Sequence, residues 1–572
     1  MITAVHRKWN TKQTDLTKAA RLAEDASLHR LTATVLVARG IETANEAATF
    51  LAPSLSDMLD PHLLQGMDTA VARLLTARRN RETVCIYGDY DVDGITGTAL
   101  LVSFLRQTGF SCRYFIPNRF DDGYGLNREA IQGIIALGTD LIVSVDCGIT
   151  AVDEALFCTG QGIDLIVVDH HLPKETIPAA LAVINPVQPG CPYPFKSLAG
   201  VGVAFNLLVA LRKALRDEGG FPGAGEPDLR DWLDLVALGT IADVVPLTGQ
   251  NRILAFHGLR QITNSIKPGI RALKRVAGIT GGVTCGQVGF RLAPRLNAAG
   301  RMESAVPGVD LLLSADQAES EGIAAELDAA NAERQAVERR ILDEAIAMVE
   351  ASGAYPGCRS IVLSSPNWHQ GVVGIVASRL VERYHRPTIL ISLDEEGNAK
   401  GSGRSIPGFH LLDAITACAG FLERFGGHRY AAGIGLRADA VVSFAAAFEA
   451  EAARLLTDGD LVAQLDMDAE ARPDDITPEL ARELKRLEPF GAGNPEPALL
   501  MRGVRVMEQR MVGDGHLRLR LSAEGRHFNA IAFRLASRQV PGMVDIAFFP
   551  EMNEWNGNST LQLRVKDLRP AE

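Results

Sequence analysis

The 572-residue chain has no Cys-x-x-Cys pair among its eight cysteines (85, 112, 147, 158, 191, 285, 358 and 418), and none at a zinc-site spacing. A structural zinc module is excluded, and the thiols fit a reducing compartment. No segment matches Gly-x-x-x-x-Gly-Lys-Ser/Thr, which excludes an NTP-driven motor built on that loop. No run of eighteen apolar residues occurs, so nothing here reads as a membrane-spanning helix. The first ten residues lack the apolar stretch of a secretory signal, and the expected location is cytoplasmic. Aromatic residues make up only 6%, against 54 glycines, a balance that suits an α/β protein with many tight turns. A basic excess is missing too. The net charge of −11 argues at first against a nucleic-acid partner, whose phosphates favour basic surfaces. There is no internal repeat, and a chain of this length holds several domains.

What is present begins with Asp89-Tyr90-Asp91-Val92-Asp93-Gly94, directly after the apolar run Val84-Cys85-Ile86-Tyr87. Three carboxylates at alternate positions repel one another unless solvated in a surface turn or neutralised by a hard divalent cation. An EF-hand loop fails, because its twelfth position falls on Leu100. The pattern recurs. Asp140 to Gly148 is an apolar run ending in Asp146-Cys147-Gly148, and a third run from Asp164 ends in Asp169-His170-His171. The run from Leu233, ambiguous between helix and strand, ends at Asp243. Helix-like pieces lie between the runs, which argues for βαβ units, a parallel sheet and a ligand site beyond the strands' carboxyl ends.

Beyond this region, apolar positions Ile323, Leu327, Ala330, Val337, Ile341, Ala345 and Met348 step along one helical face, predicting a long helix over 316–351. An α/β pattern then returns, with glycine-dense loops at 401–408 and 426–433. Alternating runs after 461 indicate a small antiparallel barrel, an OB-fold or a plain β-sandwich. Charge there is locally reversed. Between 501 and 540, eight arginines, among them Arg518, Arg520 and Arg526, stand against Glu508, Asp514 and Glu524. They form either a solvated face or a phosphate-binding one. The expected divisions are an N-terminal helical segment (1–65), a catalytic domain (66–265), a helical connector (266–350), a substrate-binding domain (351–455) and the barrel (456–572).

Tyr87 to Gly94, Val145 to Gly148, Asp169-His170-His171 and Gly239 to Asp243, in this order, resemble the successive motifs of the DHH phosphoesterase superfamily. Ala293 to Arg301, Trp368-His369, Gly401 to Ser405, Gly426 to Gly433 and Leu487 to Pro497 extend the likeness over nearly the whole chain. They point to its bacterial branch of single-strand-specific exonucleases. The resemblance implies an α/β fold: a two-lobed core with parallel sheets joined by a long helix, plus a C-terminal OB-fold barrel. It also implies a metal-dependent 5′→3′ exonuclease that degrades single-stranded DNA to mononucleotides in DNA repair and recombination. Alternatives within and beyond the superfamily are a phosphodiesterase for short oligonucleotides or cyclic dinucleotides, and a non-catalytic DNA-binding replication subunit.

By the same resemblance Asp91, Asp93, Asp146, His170 and Asp243 are metal ligands for two Mn²⁺ or Mg²⁺ ions, with Asp146 bridging. Many members carry a histidine where this chain has Tyr87, and Asp89 or water takes that place. His171 either points at the scissile phosphate or orients His170. Arg119, Tyr124, Arg295, Asn297, Arg301, His369, Arg404, Ser405 and His428 match substrate-binding positions; each arginine is equally suited to a structural ion pair. A narrow cleft between the lobes would admit one strand and exclude duplex. Single-strand-binding protein and a RecQ-type helicase are the implied partners, with no membrane association and a monomeric state.

Overall fold

The computed structural model describes residues 7–118, 125–221, 225–513, 515–535, 540–555 and 558–571. The chain forms two compact units, one of residues 53–334 with 488–495, the other of residues 1–52, 335–487 and 496–572.

The first unit is built on five parallel strands: β1 (Thr83–Tyr87), β2 (Ser111–Phe115), β3 (Leu141–Val145), β4 (Asp164–Val168) and β5 (Ala182–Ile184), in the order β2-β1-β3-β4-β5. The central strands are apolar on both faces, as a parallel sheet covered on both sides requires. Val84, Ile86, Leu141, Val143, Val145, Ile166 and Val168 face a large cluster. That cluster includes helices α1 (Val92–Gln107), α2 (Gly200–Asp217) and α3 (Leu233–Ala242). The alternate residues Cys85, Tyr87, Ile142, Leu165 and Val167 face the opposite side, against Ile131, Ile134, Ala155 and Cys158. After β1 the chain adds β2 on one side and β3 on the other. The carboxyl ends of β1 and β3 therefore lie at the topological switch point, where α/β sheets bind ligands. The ambiguous run ending at Asp243 is helical. Residues 233–241 of α3 are all buried, so the run lacks the polar face that would have given a helical period.

Helix α4 (Ala293–Met302) follows, and then the 36-residue α5 (Gln317–Ser352), within a residue of its expected span. In the first unit α5 buries Ala324 and Leu327; in the second it buries Ile341, Ala345 and Val349.

The second unit contains a mixed sheet of β6 (Ile361–Ser365), β7 (Thr388–Leu393), β8 (Asn398–Arg404), β9 (Arg424–Gly427) and β10 (Ala431–Arg437), in the order β9-β10-β8-β7-β6. Parallel pairing is confined to β6 and β7, which are separated by a crossover helix, α6 (Val373–Tyr384). The later strands pair antiparallel. Five further strands close into a barrel: β11 (Leu499–Val512), β12 (His516–Ala523), β13 (Arg526–Ala532), β14 (Met543–Trp555) and β15 (Asn558–Pro570). The order β11-β12-β13-β15-β14 is completed by pairing of β14 with β11.

The N-terminal residues belong to this second unit rather than leading only into the catalytic sheet. Strand Lys8–Thr11 pairs parallel with Gln464–Met467, and the Trp9 indole donates to Asp567 at 2.9 Å beneath the Arg569 guanidinium.

Candidate metal centre and its relatives

The turn after β1 directs its carboxylates by local hydrogen bonding. Asp91 caps α1, its Oδ1 accepting from the N–H groups of Asp93 (2.8 Å) and Gly94 (3.1 Å). Asp93, inside the first turn, is 1% exposed. Its two oxygens accept from Gly200 N–H (2.6 Å) and Val201 N–H (2.9 Å) at the positive end of α2. Asp89 is buried as well. Tyr87 points away into the opposite core, where its hydroxyl donates to the Gly125 carbonyl at 3.0 Å. It supplies no donor to the cluster, and Asp89 stands with Asp91 and Asp146 instead.

Asp146 leaves β3 at φ +63°, left-handed backbone that aspartate and asparagine adopt more readily than other side-chain-bearing residues. Its N–H remains on the sheet, donating to Val168. Close approach by α2 needs the glycine at its start: a Cβ on Gly200 would lie 2.8 Å from Asp146 Oδ1. On α3, a Cβ on Gly239 would lie 2.8 Å from Asp93 Oδ1. Asp243 caps the carboxyl end of α3, so the fourth carboxylate arrives from a helix, not a strand.

His170 Nε2 lies 3.2 Å from Asp146 Oδ1, 3.6 Å from Asp243 Oδ2 and 3.8 Å from Asp93 Oδ2. Two sets of donor atoms come within 4.8 Å of one another, Asp93–His170–Asp243 and Asp89–Asp91–Asp146; Asp146 also groups with His170 and His171. The Asp169 side chain does different work. Its Oδ1 accepts from the backbone N–H groups of His170 and His171 and from His171 Nδ1 at 2.8 Å, while Oδ2 accepts from Ile149 N–H. Asp169 thus orients the His171 imidazole and holds the backbone that carries His170. The sequence reading assigned it no role, because motif spacing does not distinguish a ligand from the residue that aims one.

The electrostatics fit a divalent cation. Burial, then the Asp91 charge, pushes Asp93 up to about 7; burial, then Asp93 and Asp91, pushes Asp243 up to about 9. Asp146 is raised well above the usual carboxylate range by burial and by Asp93, Asp91, Asp89 and Asp243. Burial and the neighbouring His171 lower His170 to about 4, which leaves a neutral imidazole. Buried Nε2 of His170 and Oδ2 of Asp243 have no hydrogen-bond partner among the described residues. A neutral imidazole and crowded carboxylates are the donor set that Mn²⁺ or Mg²⁺ satisfies. His171 behaves oppositely: burial disfavours its charge, but the hydrogen bond and charge of Asp169, then Asp243 and Asp91, raise it to about 9.

The remaining candidates differ in how firmly they are engaged. The Arg295 guanidinium is paired with Asp328 at 2.8 Å and donates to the carbonyls of Arg291 and Val276, tying α4 to α5. Asn297 and Arg301 lie on α4 and are half-buried. In the second unit Arg404 ends β8 opposite Ala431, next to the His428 turn, and its Nη1 donates to Ser402 Oγ and the Gly403 carbonyl. The Ser405 hydroxyl donates to the Phe409 carbonyl. The loop holding His369 precedes α6, where a Cβ on Gly374 would lie 3.1 Å from Arg404 Nη2. Arg119 and Tyr124 lie outside the described residues. On the barrel, Arg510, Arg518, Arg520 and His527 line a groove of about 690 Å³.

Three family models match successive parts of the chain: the DHH family N-terminal domain at residues 83–240, the DHHA1 domain at 357–454 and the RecJ OB domain at 467–567. The single-stranded-DNA-specific exonuclease RecJ of Bacillus subtilis is 40% identical over 99% of this chain and 71% of its own length. The chain belongs to the RecJ family. The crystal structure of RecJ from Thermus thermophilus in complex with Mn²⁺ matches 99% of the chain and 80% of that protein, at 34% identity and a TM-score of 0.84. The same RecJ in complex with Mg²⁺ matches at 33% identity over 99% of the chain and 79% of that protein, with a TM-score of 0.79. Both ions expected for the cluster occur in these RecJ relatives. Among the described residues no helix is long and apolar enough to cross a membrane.

Proposed function

We propose that the protein is a metal-dependent exonuclease that hydrolyses single-stranded DNA from its 5′ end, releasing mononucleotides. The observation that carries this reading is the pair of donor sets joined through Asp146, in a chain of the RecJ family. We assign Asp93, His170 and Asp243 to one ion, Asp91 and Asp89 to the other, and Asp146 to both. Bound ions in such a pair activate water and neutralise the phosphoryl oxygens. The protein's own contribution is positional and protic. Asp169 holds a proton on His171 Nδ1, and the high affinity of His171 for its second proton equips Nε2 to hydrogen-bond the phosphate or protonate the leaving oxygen.

Arg404, with Ser405, His369 and His428 nearby in the second unit, is the group best suited to a terminal phosphate, since guanidinium forks match phosphate oxygens. Asn297 and Arg301, with Arg119 and Tyr124, are further substrate contacts in this reading, whereas Arg295 is committed to Asp328. The barrel groove supplies a track for the single strand. The protein acts as a cytoplasmic monomer, in DNA repair and recombination, beside a single-strand-binding protein and a RecQ-type helicase. Digestion of 5′- and 3′-end-labelled strands, single and duplex, with Mn²⁺ or Mg²⁺ tests the reading. Early release of 5′ label from single strands alone is expected; early release of 3′ label, or equal cutting of duplex, overturns it.

A further inference from the structure

Helix α3 ends in an unusual way. Asp243 caps it, and the next residue, Val244, adopts φ +63° with its N–H donating to the Ile241 carbonyl. This is the position after a helix cap where glycine is the ordinary occupant, because a left-handed backbone crowds any Cβ. A β-branched residue is a true outlier there, and the strain must be returned elsewhere. The fold of the free protein does not return it through packing: Val244 is 68% exposed. It is covalently next to the carboxylate whose Oδ2 lies 3.6 Å from His170 Nε2. A second aliphatic side chain is placed in the same way. Leu172 directly follows His171 and is 66% exposed. Two large apolar groups thus stand in solvent, each one residue from a member of the cluster.

We propose that Val244 and Leu172 are binding residues for the base of the nucleotide being removed, an aliphatic rest that covers the base's apolar face while its phosphate sits at the metal centre. The inference rests on the nuclease reading of that centre and adds the group that grips the terminal nucleotide. Aliphatic side chains offer no hydrogen bonds to base edges, so all four bases are accepted. Strain at Val244 is then the cost of presenting a side chain where glycine would present none.

The test compares wild type, Val244→Gly, Val244→Ile and Leu172→Ala, each with bound Mn²⁺, on two single strands that differ only in whether the 5′-terminal nucleotide carries a base. Val244→Gly should melt at or above the wild-type temperature, because the left-handed strain is relieved. On the base-bearing strand it and Leu172→Ala should lose about tenfold in kcat/KM, the order set by an aliphatic contact, with Val244→Ile close to wild type. On the strand with an abasic terminus the wild type should itself slow, and the difference between it and both variants should shrink toward none. Unchanged kcat/KM in Val244→Gly and Leu172→Ala overturns the proposal. An equal loss on both strands also overturns it, because the side chains would then act by placing Asp243 and His171. Slow or absent cleavage of both strands by wild type would instead refute the nuclease reading itself.

Discussion

Asp146→Asn is the most demanding perturbation of the centre, because Asp146 shares donor sets with residues from β1 and β4. Asparagine is preferable to alanine: it keeps the shape and tolerates the φ of +63°. Hydrolysis should fall at least ~10³-fold if, as proposed, Asp146 serves both ions. Stability of the metal-free protein should move the other way. Ligand oxygens of Asp89, Asp91 and Asp146 lie within 4.8 Å of one another, and at an effective dielectric near 20 two unit charges at that separation repel by roughly 3.5 kcal/mol. Removing Asp146 from this set should therefore stabilise the metal-free fold by about 3 kcal/mol near pH 8, because the folded wild type must either ionise it against its neighbours or take up a proton to avoid doing so.

The sign depends on pH. Carboxylates whose folded pKa is raised hold protons that the unfolded chain releases, so their cost is absent below about pH 4 and grows as pH rises toward the folded values. With Asp93 near 7 and Asp243 near 9, the cost builds across that whole range. Melting in EDTA from about pH 5 to 9 should show wild type declining and the variant declining less, with the curves meeting at the acid end. Mn²⁺ should restore wild type far more than the variant. A variant that melts below wild type at the alkaline end, or one that cuts DNA near the wild-type rate in saturating Mn²⁺, would refute the shared-ligand argument.

Asp169→Asn should lower the proton affinity of His171 and shift the alkaline limb of the pH–rate profile downward. In metal-free melts it should also remove the stability that the His171–Asp169 pair supplies below about pH 6.5 and loses toward about pH 9. Arg404→Ala should cost about 1.5–3 kcal/mol in the advantage of a 5′-phosphorylated over a 5′-hydroxyl strand, read as the ratio of kcat/KM values; an unchanged ratio would remove Arg404 from end recognition. Replacing Arg518 and Arg520 by alanine should weaken binding of long strands and reduce the salt slope by about one for each lost phosphate contact. An unaltered slope would make the barrel's arginines a solvated face.

The gathering of carboxylates and imidazoles was legible because acidic residues recur at fixed places in an α/β sheet. Carboxylates after apolar runs announce both the strand ends and the charge problem they create. Asp243 was legible as a carboxylate but not as a helix cap, since α3 is buried on every side and has no polar stripe to reveal its period. The roles of the arginines were not legible. Nothing in the sequence separates Arg295, held by Asp328 thirty-three residues away, from Arg404, whose Nη1 donates to Ser402 and Gly403 of its own strand. The position of the N-terminal segment was hidden for a related reason. Its partners, Asp567 and Arg569, are nearly the whole chain distant, and local pattern carries no information at that range.

That last contact has a bearing on how the polypeptide comes off the ribosome. The strand Lys8–Thr11 finds its pairing strand only at Gln464–Met467. At a synthesis rate of roughly 5–20 residues per second, its backbone waits about twenty seconds to a minute and a half before that strand emerges, and the Trp9 ring waits longer for Asp567. During that interval the catalytic sheet, contiguous in sequence, is already able to assemble. A chain interrupted before residue 464 lacks the strand that Lys8–Thr11 pairs with, however completely the sheet between them has formed.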